Sequence, residues 1–271
     1  MHISVFYENI FDGALAAGLQ TEEVLRILRG TGMENIYISA DSWKRDRAIL
    51  KKSLEKLNLR VGGMHAFCDF PGEPDALRYR EIIDLAVDSG ADNLLFVPGM
   101  LSTGNTRCDL QRMVDGMTRA VAYGCSVGMP VLMEDYDGLL APYNCIAGLE
   151  FFLNTVNGLE CAFDTGNFAI FREDELAAFD LFADKIRTVH LKDRSLAPRH
   201  GGDTPCLCAD GSKVYACAVG SGYIRMSEIL HRLQARHFPG NIIVELYACD
   251  SQYFLQDVEA SLQWLRKELK A

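Results

Sequence analysis

Metal-binding side chains follow four consecutive apolar runs in the second half of the sequence. They are Glu134, Asp164, His190 and Glu245. Carboxylates that converge in a low-dielectric site repel one another and raise each other's pKa unless a cation compensates them. Three carboxylates and one imidazole suit a hard or borderline ion such as Mn²⁺, Mg²⁺, Co²⁺ or Fe²⁺, with Zn²⁺ as an alternative. The pattern therefore predicts a site for one divalent metal ion.

Glu245 is the most informative of the four, because it interrupts the apolar run NIIVELY at residues 241–247. Such a run is typical of a strand that is buried on both faces of a parallel sheet. A carboxylate is costly there unless it is paired, hydrogen-bonded or bound to a metal. A role as metal ligand explains why the strand tolerates Glu245. Taken singly, an acid at a strand end is more often a helix cap, and His190 is more often a core histidine.

The elements that must position these residues are eight short β-rich runs. They cover residues 3–8, 35–40, 60–67, 93–99, 130–135, 159–165, 186–193 and 241–247. Stretches with apolar residues at helical spacing separate the runs, and the last such stretch is 250–269. Eight strands that alternate with helices indicate an α/β fold, the (β/α)8 TIM barrel. The main alternative, a doubly wound sheet, usually has a glycine-rich first turn, and residues 7–18 contain no G-x-G-x-x-G pattern.

The composition favours one acidic barrel domain. The chain has 271 residues, of which 49% are hydrophobic, and a formal net charge of -10. This length suits one α/β barrel and no linker interrupts it, so we expect a single domain over residues 1–271. An acidic surface repels nucleic acid, and no apolar run approaches the roughly 18 residues of a membrane span. The N-terminus lacks a signal pattern and nine cysteines suit a reducing compartment, so we expect a cytoplasmic protein.

Further candidate site residues lie near other predicted strand ends. Glu8 ends the first run, His65 lies in the third and Lys192 in the seventh, where side chains can face the mouth of a barrel. Lys192 could neutralise negative charge on a substrate, or form a salt bridge with Asp193 or a neighbouring acid. Aromatic residues near strand ends could wall a pocket or serve in packing alone; they are Phe6, Trp43, Phe67, Phe168 and Tyr247.

The connection between the seventh and eighth runs, residues 194–224, is long and rich in Gly, Pro, Ser and Cys. A connection of this length is expected to do more than join two strands, and the alternatives are a lid and an oligomer contact. Gly220-Ser221-Gly222 in this connection precedes a helical stretch. The three residues are either a phosphate cradle at a helix N-terminus or a tight turn into the helix.

Several motifs resemble those of the xylose isomerase-like TIM-barrel superfamily, which contains sugar phosphate isomerases and epimerases. The motifs are VLMED at 131–135, FDTGN at 163–167, VHLKD at 189–193 and FPGNIIVELY at 238–247. The resemblance extends over nearly the whole chain. It implies that Glu134, Asp164, His190 and Glu245 bind one catalytic divalent ion, and that His65 lines the substrate pocket.

The same resemblance implies a metal-dependent isomerase or epimerase of a sugar, ketose or sugar phosphate that transfers a proton through an enediolate. Glu134 and Glu245, which come from separated strands, are the candidate acid and base on opposite sides of the substrate. One alternative is a metal-dependent dehydratase of an inosose-like polyol ketone, and another is a non-catalytic sugar-binding barrel. The expected partner is a small carbohydrate, and relatives often form homodimers or homotetramers.

The sequence departs from the family pattern around the pocket. Many relatives have a histidine where this chain has Asn167, and ketose 3-epimerases have a glutamate at the position of Leu140. Their arginine after the seventh strand is replaced by Leu196, although Arg194 is close. The fourth run ends without the extra histidine of endonuclease IV, which argues against a nuclease. The predicted substrate-binding residues are His65, Asn167, Lys192, Glu8, Trp43 and Arg194.

Overall fold

Eight parallel strands close into a barrel in the computed structural model, which describes residues 1–102, 104 and 106–270. In chain order the strands are β1 His2–Phe6, β2 Asn35–Ser39, β3 Arg60–Phe67, β4 Leu94–Val97, β5 Val131–Met133, β6 Glu160–Asp164, β7 Ile186–Leu191, β8 Asp193–Ser195, β9 Pro205–Leu207, β10 Lys213–Cys217 and β11 Asn241–Val244. The barrel consists of β1 to β7 and β11, each paired with its neighbours in that order, and β11 closes the ring against β1. The predicted α/β TIM barrel is confirmed.

Nine α-helices lie among the described residues, and they follow the strands along the chain. They are α1 Tyr7–Ala17, α2 Thr21–Thr31, α3 Ala40–Leu57, α4 Arg78–Ser89, α5 Thr106–Val127, α6 Ile146–Thr155, α7 Glu175–Phe182, α8 Met226–Ala235 and α9 Phe254–Glu268. The first strand is shorter than expected, since it ends at Phe6. Glu8 lies in the first turn of α1, where the helix dipole favours a carboxylate.

Apolar side chains pack in two layers, one inside the barrel and one between the barrel and its helices. The inner cluster consists of Phe6, Tyr37, Leu95, Leu132, Ala162 and Ile243. The outer cluster is much larger and joins strand residues such as Val5 and Val244 to helix residues such as Ile10 and Leu262. Alternate residues of each strand thus serve the two layers, as the pleat of a strand requires.

Asn241 ties four strands together at the N-terminal end of the barrel. Its Oδ1 accepts hydrogen bonds from Asn35 Nδ2 at 2.8 Å and from Ser4 Oγ at 3.4 Å. Its Nδ2 donates to the Gly62 carbonyl at 2.9 Å and to Asp92 Oδ2 at 3.1 Å. A Cβ on Gly62 would lie 2.9 Å from Asn241 Oδ1, so this close approach requires a glycine.

The connection between β7 and β11 contains a small antiparallel sheet with the order β8-β10-β9. Hydrogen bonds fasten the connection to the region after β11. The Asp203 carboxylate accepts N–H bonds from Arg199 at 2.7 Å, from His200 at 2.8 Å and from Asp250 at 2.8 Å. His200 Nε2 also lies 3.0 Å from an oxygen of Asp257 in α9. The segment is structured and anchored, and a role as lid or oligomer contact stays a prediction.

The first and last elements of the chain are neighbours. β1 pairs with β11, with His2 opposite Asn241, and α9 lies beside α1 and α2. Near the end of α9, Arg266 donates a hydrogen bond to the carbonyl of Thr31, the last residue of α2, at 2.9 Å. The chain therefore starts, and α9 ends, at the N-terminal end of the barrel.

Three broader expectations concern the whole chain. No helix of the described residues combines the length and the apolar character that crossing a membrane requires. All nine cysteines are described, and none of them forms a disulfide. The expected domain limits, residues 1–271, include Thr103, Asn105 and Ala271, which lie outside the described residues, so these limits stay a prediction.

Candidate active site

A cavity of about 330 Å³ opens at the C-terminal end of the barrel. Its volume lies within the range of small-molecule sites, and this end of a TIM barrel is where active sites are built. The cavity is lined by Phe6, His65, Phe67, Leu95, Val97, Glu134, Tyr136, Asp137, His190, Lys192, Glu245 and Tyr247. Carboxylates, imidazoles and one ammonium group thus share the wall with aromatic rings.

Three of the four predicted metal ligands form one compact cluster. Single ligand atoms of Glu134, Asp164 and His190 all lie within 4.8 Å of one another, and the three residues are buried. Asp164 is held in place by its Oδ1, which accepts N–H bonds from Gly166 at 2.8 Å and Asn167 at 3.0 Å. Its Oδ2 is buried and makes no hydrogen bond within the described residues. This oxygen lies 3.1 Å from Lys192 Nζ, and its lone pairs are not taken up by a hydrogen bond from any described residue.

Glu245 lies next to this cluster, immediately after β11. Its Oε2 is 3.3 Å from His190 Nδ1, and Glu134 Oε2 is 3.0 Å from the same nitrogen. Its Oε1 lies 2.6 Å from Lys192 Nζ. The structure thus brings Glu134, Asp164 and His190 together and places Glu245 against His190 and Lys192.

Lys192 lies among the acids of the site rather than beside Asp193. Its Nζ donates to Asn167 Oδ1 at 3.0 Å and is 3.1 Å from Asp164 Oδ2. The contact with Asp164 has the length of an ion pair without the angles of a hydrogen bond. Of the two expected roles of Lys192, the geometry shows the salt bridge with neighbouring acids, Asp164 and Glu245, and places the ammonium group at the cavity wall.

The charged groups of the site change one another's pKa values. Burial raises the pKa of Asp164 to about 7, with Lys192 opposing the shift. Burial lowers the pKa of His190, but the contacts with Glu134 and Glu245 outweigh it and raise the pKa to about 10. Burial raises the pKa of Glu245, but Lys192 and His190 outweigh it and lower the pKa to about 2. Internal positive charge therefore stabilises the carboxylate of Glu245 and only partly offsets the effect of burial on Asp164.

A second polar group consists of His65 and Tyr247, which line the cavity, and Glu8, which contacts both but is not among the described lining residues. Glu8 Oε2 lies 3.5 Å from His65 Nε2 and accepts from the Tyr247 hydroxyl at 3.4 Å. Glu8 Oε1 accepts the Ser39 N–H at 3.0 Å, which fixes the carboxylate. The Phe6 ring contacts both polar groups, with centroids 5.4 Å from His65 and 5.2 Å from His190. Of these two predicted substrate-binding residues, His65 lines the cavity, whereas Glu8 contacts His65 from outside the described lining.

Sequence reasoning missed three residues of the site. Tyr136 and Asp137 line the cavity two and three residues after Glu134, so polar residues that follow a ligand strand were the available signal. Tyr37 in β2 stacks on His65 with ring centroids 5.8 Å apart, and its hydroxyl is buried without a partner in the described part of the chain. No feature of the sequence distinguishes Tyr37 from an ordinary packing residue.

Asn167 and Arg194 are buried behind Lys192 and do not line the cavity within the described ranges. Asn167 Oδ1 accepts from Lys192 Nζ and also from Arg194 Nη2 at 3.2 Å. Asn167 Nδ2 donates to the Asp135 carbonyl at 2.8 Å, and Arg194 Nε donates to the Gly166 carbonyl at 3.2 Å. The two residues were predicted to bind substrate; in the structure Asn167 contacts Lys192, and Arg194 contacts Asn167.

Trp43 lies away from the cavity. Helix α3 begins at Ala40, so Trp43 belongs to a helix rather than to the strand end, and its side chain packs in the outer cluster with 1% of its surface exposed. It is not among the described residues that line the cavity. This position does not fit the predicted contact with substrate.

The donor set is compatible with a divalent ion. Two carboxylates and an imidazole converge at short range, Asp164 Oδ2 has no hydrogen bond within the described residues, and a third carboxylate, Glu245, lies at the edge of the cluster. Sets of ligands that are rich in oxygen and contain one imidazole suit the harder divalent ions. The positive charge of such an ion stabilises buried carboxylates more than exposed ones.

Comparison with known proteins agrees with this architecture. A family model described as xylose isomerase-like TIM barrel matches residues 11–268. Among the curated protein sequences compared, none matches this chain.

Solved structures with similar folds include enzymes of two reaction types. A probable 3-DHS dehydratase of petrobactin synthesis from Bacillus anthracis has a TM-score of 0.75 at 15% identity, with 98% of this chain and 99% of that chain covered. A D-allulose 3-epimerase from Methylomonas sp. has a TM-score of 0.73 at 18% identity, with coverage of 99% and 97%. A 3-keto-D-glucoside 4-epimerase from E. coli has a TM-score of 0.69 at 16% identity, with coverage of 98% and 99%. At sequence identities of 15% to 18%, these similarities show a shared fold.

Proposed function

The chain belongs to the xylose isomerase-like TIM-barrel family, and from this premise we propose that it is a divalent-metal-dependent isomerase or epimerase of a sugar or ketose. The cluster of Glu134, Asp164 and His190 carries the proposal, because it unites three predicted ligands from three strands in one buried group. Glu245, which contacts His190, is the fourth proposed ligand. Mn²⁺, Mg²⁺, Co²⁺ and Fe²⁺ suit this set, with Zn²⁺ as the alternative. The ion, when bound, would supply Lewis-acid polarisation of a substrate carbonyl.

Glu134 and Glu245 are the proposed proton-transfer groups. Both line the cavity, and both carboxylates approach His190 Nδ1, from β5 and from β11. A substrate between the two strands would have one carboxylate available to remove a proton from the carbon next to the carbonyl and the other to return it. Such acid–base steps contribute about 10² to 10⁴ in rate, with an enediolate as the shared state between removal and return.

The remaining polar residues would hold and orient the substrate. His65 lines the cavity and is oriented by Glu8, so it is the proposed partner of a substrate hydroxyl. Lys192 would stabilise negative charge that develops on the substrate oxygen, because its ammonium group lies at the cavity wall. Asn167 and Arg194 would act through Lys192, which they position.

A dehydratase is the second candidate function. The same proton removal leads to loss of water when a hydroxyl leaves from the next carbon, and His65 is a second imidazole in the cavity that could protonate that hydroxyl. Both reaction types occur among enzymes with similar folds. A non-catalytic sugar-binding barrel is less well supported, because it gives no reason to gather three buried metal-binding residues.

The test is hydrogen exchange at carbon in deuterated water. Wild-type protein loaded with Mn²⁺ should incorporate deuterium next to the carbonyl of at least one free ketose, followed by nuclear magnetic resonance. Glu134→Gln should lower this exchange by about 10² to 10⁴, because it removes the base, whereas Glu55→Gln, an exposed control, should not change it. Mass spectrometry of the product then separates isomerisation, which keeps all carbon and oxygen atoms and adds only the mass of the deuterium taken up, from dehydration, which loses one water. Full exchange in Glu134→Gln would contradict the assignment.

Two further parts of the proposal concern the location of the protein in the cell and its oligomeric state. A cytoplasmic location is supported by nine cysteines without a disulfide. A homodimer or homotetramer stays a prediction, which light scattering on the purified protein would decide.

A further inference from the structure

Backbone N–H groups enclose the carboxylate of Asp193 between β7 and α8. Its Oδ2 accepts from Gly220 and Gly222, each at 2.9 Å. Its Oδ1 accepts from the N–H of Arg194 at 2.8 Å and of Ile224 at 3.3 Å. Asp193 is buried, with 1% of its surface exposed. Four N–H donors around one buried acceptor form an anion-binding nest, and here the anion is part of the chain.

This nest belongs to the segment after the seventh barrel strand, one of the parts from which TIM barrels often build a phosphate site. That site is built by the segments after the seventh and eighth barrel strands and by a helix N-terminus. Here the same segment leads into α8, which begins at Met226. A Cβ on Gly222 would lie 2.2 Å from Asp193 Oδ1, so no further group fits between them. Of the two expected roles of Gly220-Ser221-Gly222, the geometry shows the tight turn, closed on Asp193.

The cavity itself has few positively charged groups that could bind a phosphate. Three carboxylates line it, from Glu134, Asp137 and Glu245. Lys192 is the one ammonium or guanidinium group in the lining formed by the described residues, and its Nζ lies 2.6 Å from Glu245. The nearby Arg194 is buried outside the lining, with Nη2 3.4 Å from Asp137. A divalent ion would offset part of the negative charge, but its own ligands are carboxylates.

We propose that the site takes an uncharged polyhydroxy ketone and rejects the phosphate ester of the same sugar, because Asp193 occupies the nest that a phosphate would need. This assignment of substrate class rests on the proposed function, whereas the occupation of the nest by Asp193 does not.

The physical reason is the cost of an unpaired anion. A phosphate dianion that leaves water without donors or cations to receive it loses far more solvation than the contacts return. We expect the free ketose to be preferred over its ester by at least about 100-fold in kcat/KM, which corresponds to about 2.8 kcal/mol.

The first experiment compares matched pairs of substrates. Wild-type protein loaded with Mn²⁺ is given D-fructose, D-tagatose, D-psicose, D-xylulose and D-ribulose, and the phosphate ester of each, and deuterium exchange at carbon is measured. Exchange that favours the free sugars supports the proposal. A preference for the esters overturns it and leaves the proposed function standing. No exchange with any of the ten compounds overturns the proposed function and the assignment of substrate class.

The second experiment needs no turnover. Asp193→Ala opens the nest, so inorganic phosphate should raise the melting temperature of this variant while leaving wild type nearly unchanged. Ser261→Ala is the matched control, because Ser261 Oγ accepts the N–H of Val219, next to Gly220, at 2.9 Å, and the variant frees one backbone donor without removing a charge or opening the nest. Phosphate should not stabilise that control.

Two results would overturn the role of Asp193. One is phosphate stabilisation of wild type as large as that of Asp193→Ala, and the other is no stabilisation of Asp193→Ala. If the alanine variant does not fold, Asp193→Ser serves in its place, because the shorter hydroxyl side chain removes the charge and vacates most of the nest. In that variant, phosphate binding measured by calorimetry should exceed the binding to wild type.

Discussion

Lys192 is the residue through which the buried carboxylates of the site coexist. Its ammonium group lies between Asp164 and Glu245 and is held by Asn167. Burial lowers the pKa of Lys192, but Asp164 and Glu245 outweigh it and raise the pKa well above its ordinary value, so the group stays charged. Glu245 is therefore tolerated in an apolar strand by a salt bridge as well as by its proposed metal.

Lys192→Met should destabilise the protein most when metal is removed. The variant leaves buried carboxylates without their cation, which costs about 3–5 kcal/mol, and a divalent ion should recover part of this loss. Urea unfolding with a chelator measures the stability that the substitution removes, and urea unfolding with Mn²⁺ measures the part that the metal ion recovers. Lys213→Met makes the same change at an exposed position and should have a small effect. Equal stability of Lys192→Met and wild type in the chelator would contradict the salt-bridge role.

Glu8 predicts a pH dependence of stability. Burial raises its pKa, but the bonds from His65 and Ser39 outweigh burial and lower it from 4.5 to about 2. A group whose pKa is lower in the folded state stabilises it fully above the unfolded pKa and loses this effect as the pH falls through the folded pKa. The contribution of Glu8, on the order of 3 kcal/mol, is therefore present above pH 4.5 and lost towards pH 2.

The measurement is the free energy of unfolding of Glu8→Gln and of wild type between pH 7 and pH 3. The difference between the two proteins should be constant near neutrality and should shrink below about pH 4.5, because Glu8 of the unfolded chain then binds a proton while folded Glu8 stays charged until about pH 2. Glu55→Gln is the control at an exposed position. A difference that stays the same down to pH 3 would show that the contacts of Glu8 do not depend on its charge.

Two helical glycines test how the elements pack on each other. A Cβ on Gly13 in α1 would lie 2.1 Å from Phe254 Cδ1 at the start of α9, whereas a Cβ on Gly30 in α2 meets no atom within 4 Å. Gly13→Ala should lower the free energy of unfolding by about 1–3 kcal/mol, because it overpacks the contact between α1 and α9. Gly30→Ala should raise it by about 0.5–1 kcal/mol, because alanine favours a helix. Equal effects of the two variants in urea unfolding would refute the close contact.

The structure of the connection between β7 and β11 could not be predicted from the sequence. Its length predicted a special role, but the three strands β8, β9 and β10 have only three, three and five residues, too few to show a clear alternation. Its anchors, such as Asp203 to Asp250 and His200 to Asp257, join residues 47 and 57 positions apart. Hydrogen bonds over such separations have no local signal.

At the scale of the whole molecule, metal binding should raise stability, because the ligands come from strands around half of the barrel. An ion that binds the folded protein alone adds about 2.7 kcal/mol at 100 times its Kd. This corresponds to a rise of several degrees in Tm, at roughly 2–4 °C per kcal/mol for a chain of this size. Treatment with a chelator should reverse the rise.

Asp164→Asn should abolish this response to Mn²⁺, because Asp164 supplies the buried oxygen of the cluster. Asp137→Asn, which changes an acid in the same cavity outside the cluster, should keep it. Calorimetric scans of the three proteins with and without Mn²⁺ make the comparison. A response that persists in Asp164→Asn would place the ion elsewhere.

The barrel itself was predictable, because eight apolar runs at regular spacing leave few other arrangements. The rule that TIM-barrel sites lie at the C-terminal ends of the strands then selects the side chains around one opening of the barrel. That rule placed Glu134, Asp164 and His190 correctly in one cluster. It failed for Trp43, because a helix that starts at Ala40 carries the side chain into the outer core. It could not separate Asn167 and Arg194, which support Lys192, from residues that line the cavity, since both kinds occupy strand ends.

The pairing of β1 with β11 also bears on how the chain could be rearranged. The chain starts, and α9 ends, at the same end of the barrel, opposite the cavity. Hydrogen bonds and side-chain packing, rather than a loop, close the ring between β1 and β11. Closure therefore does not depend on which strand comes first along the chain, and a circular permutant opened at an exposed turn should form the same eight pairings.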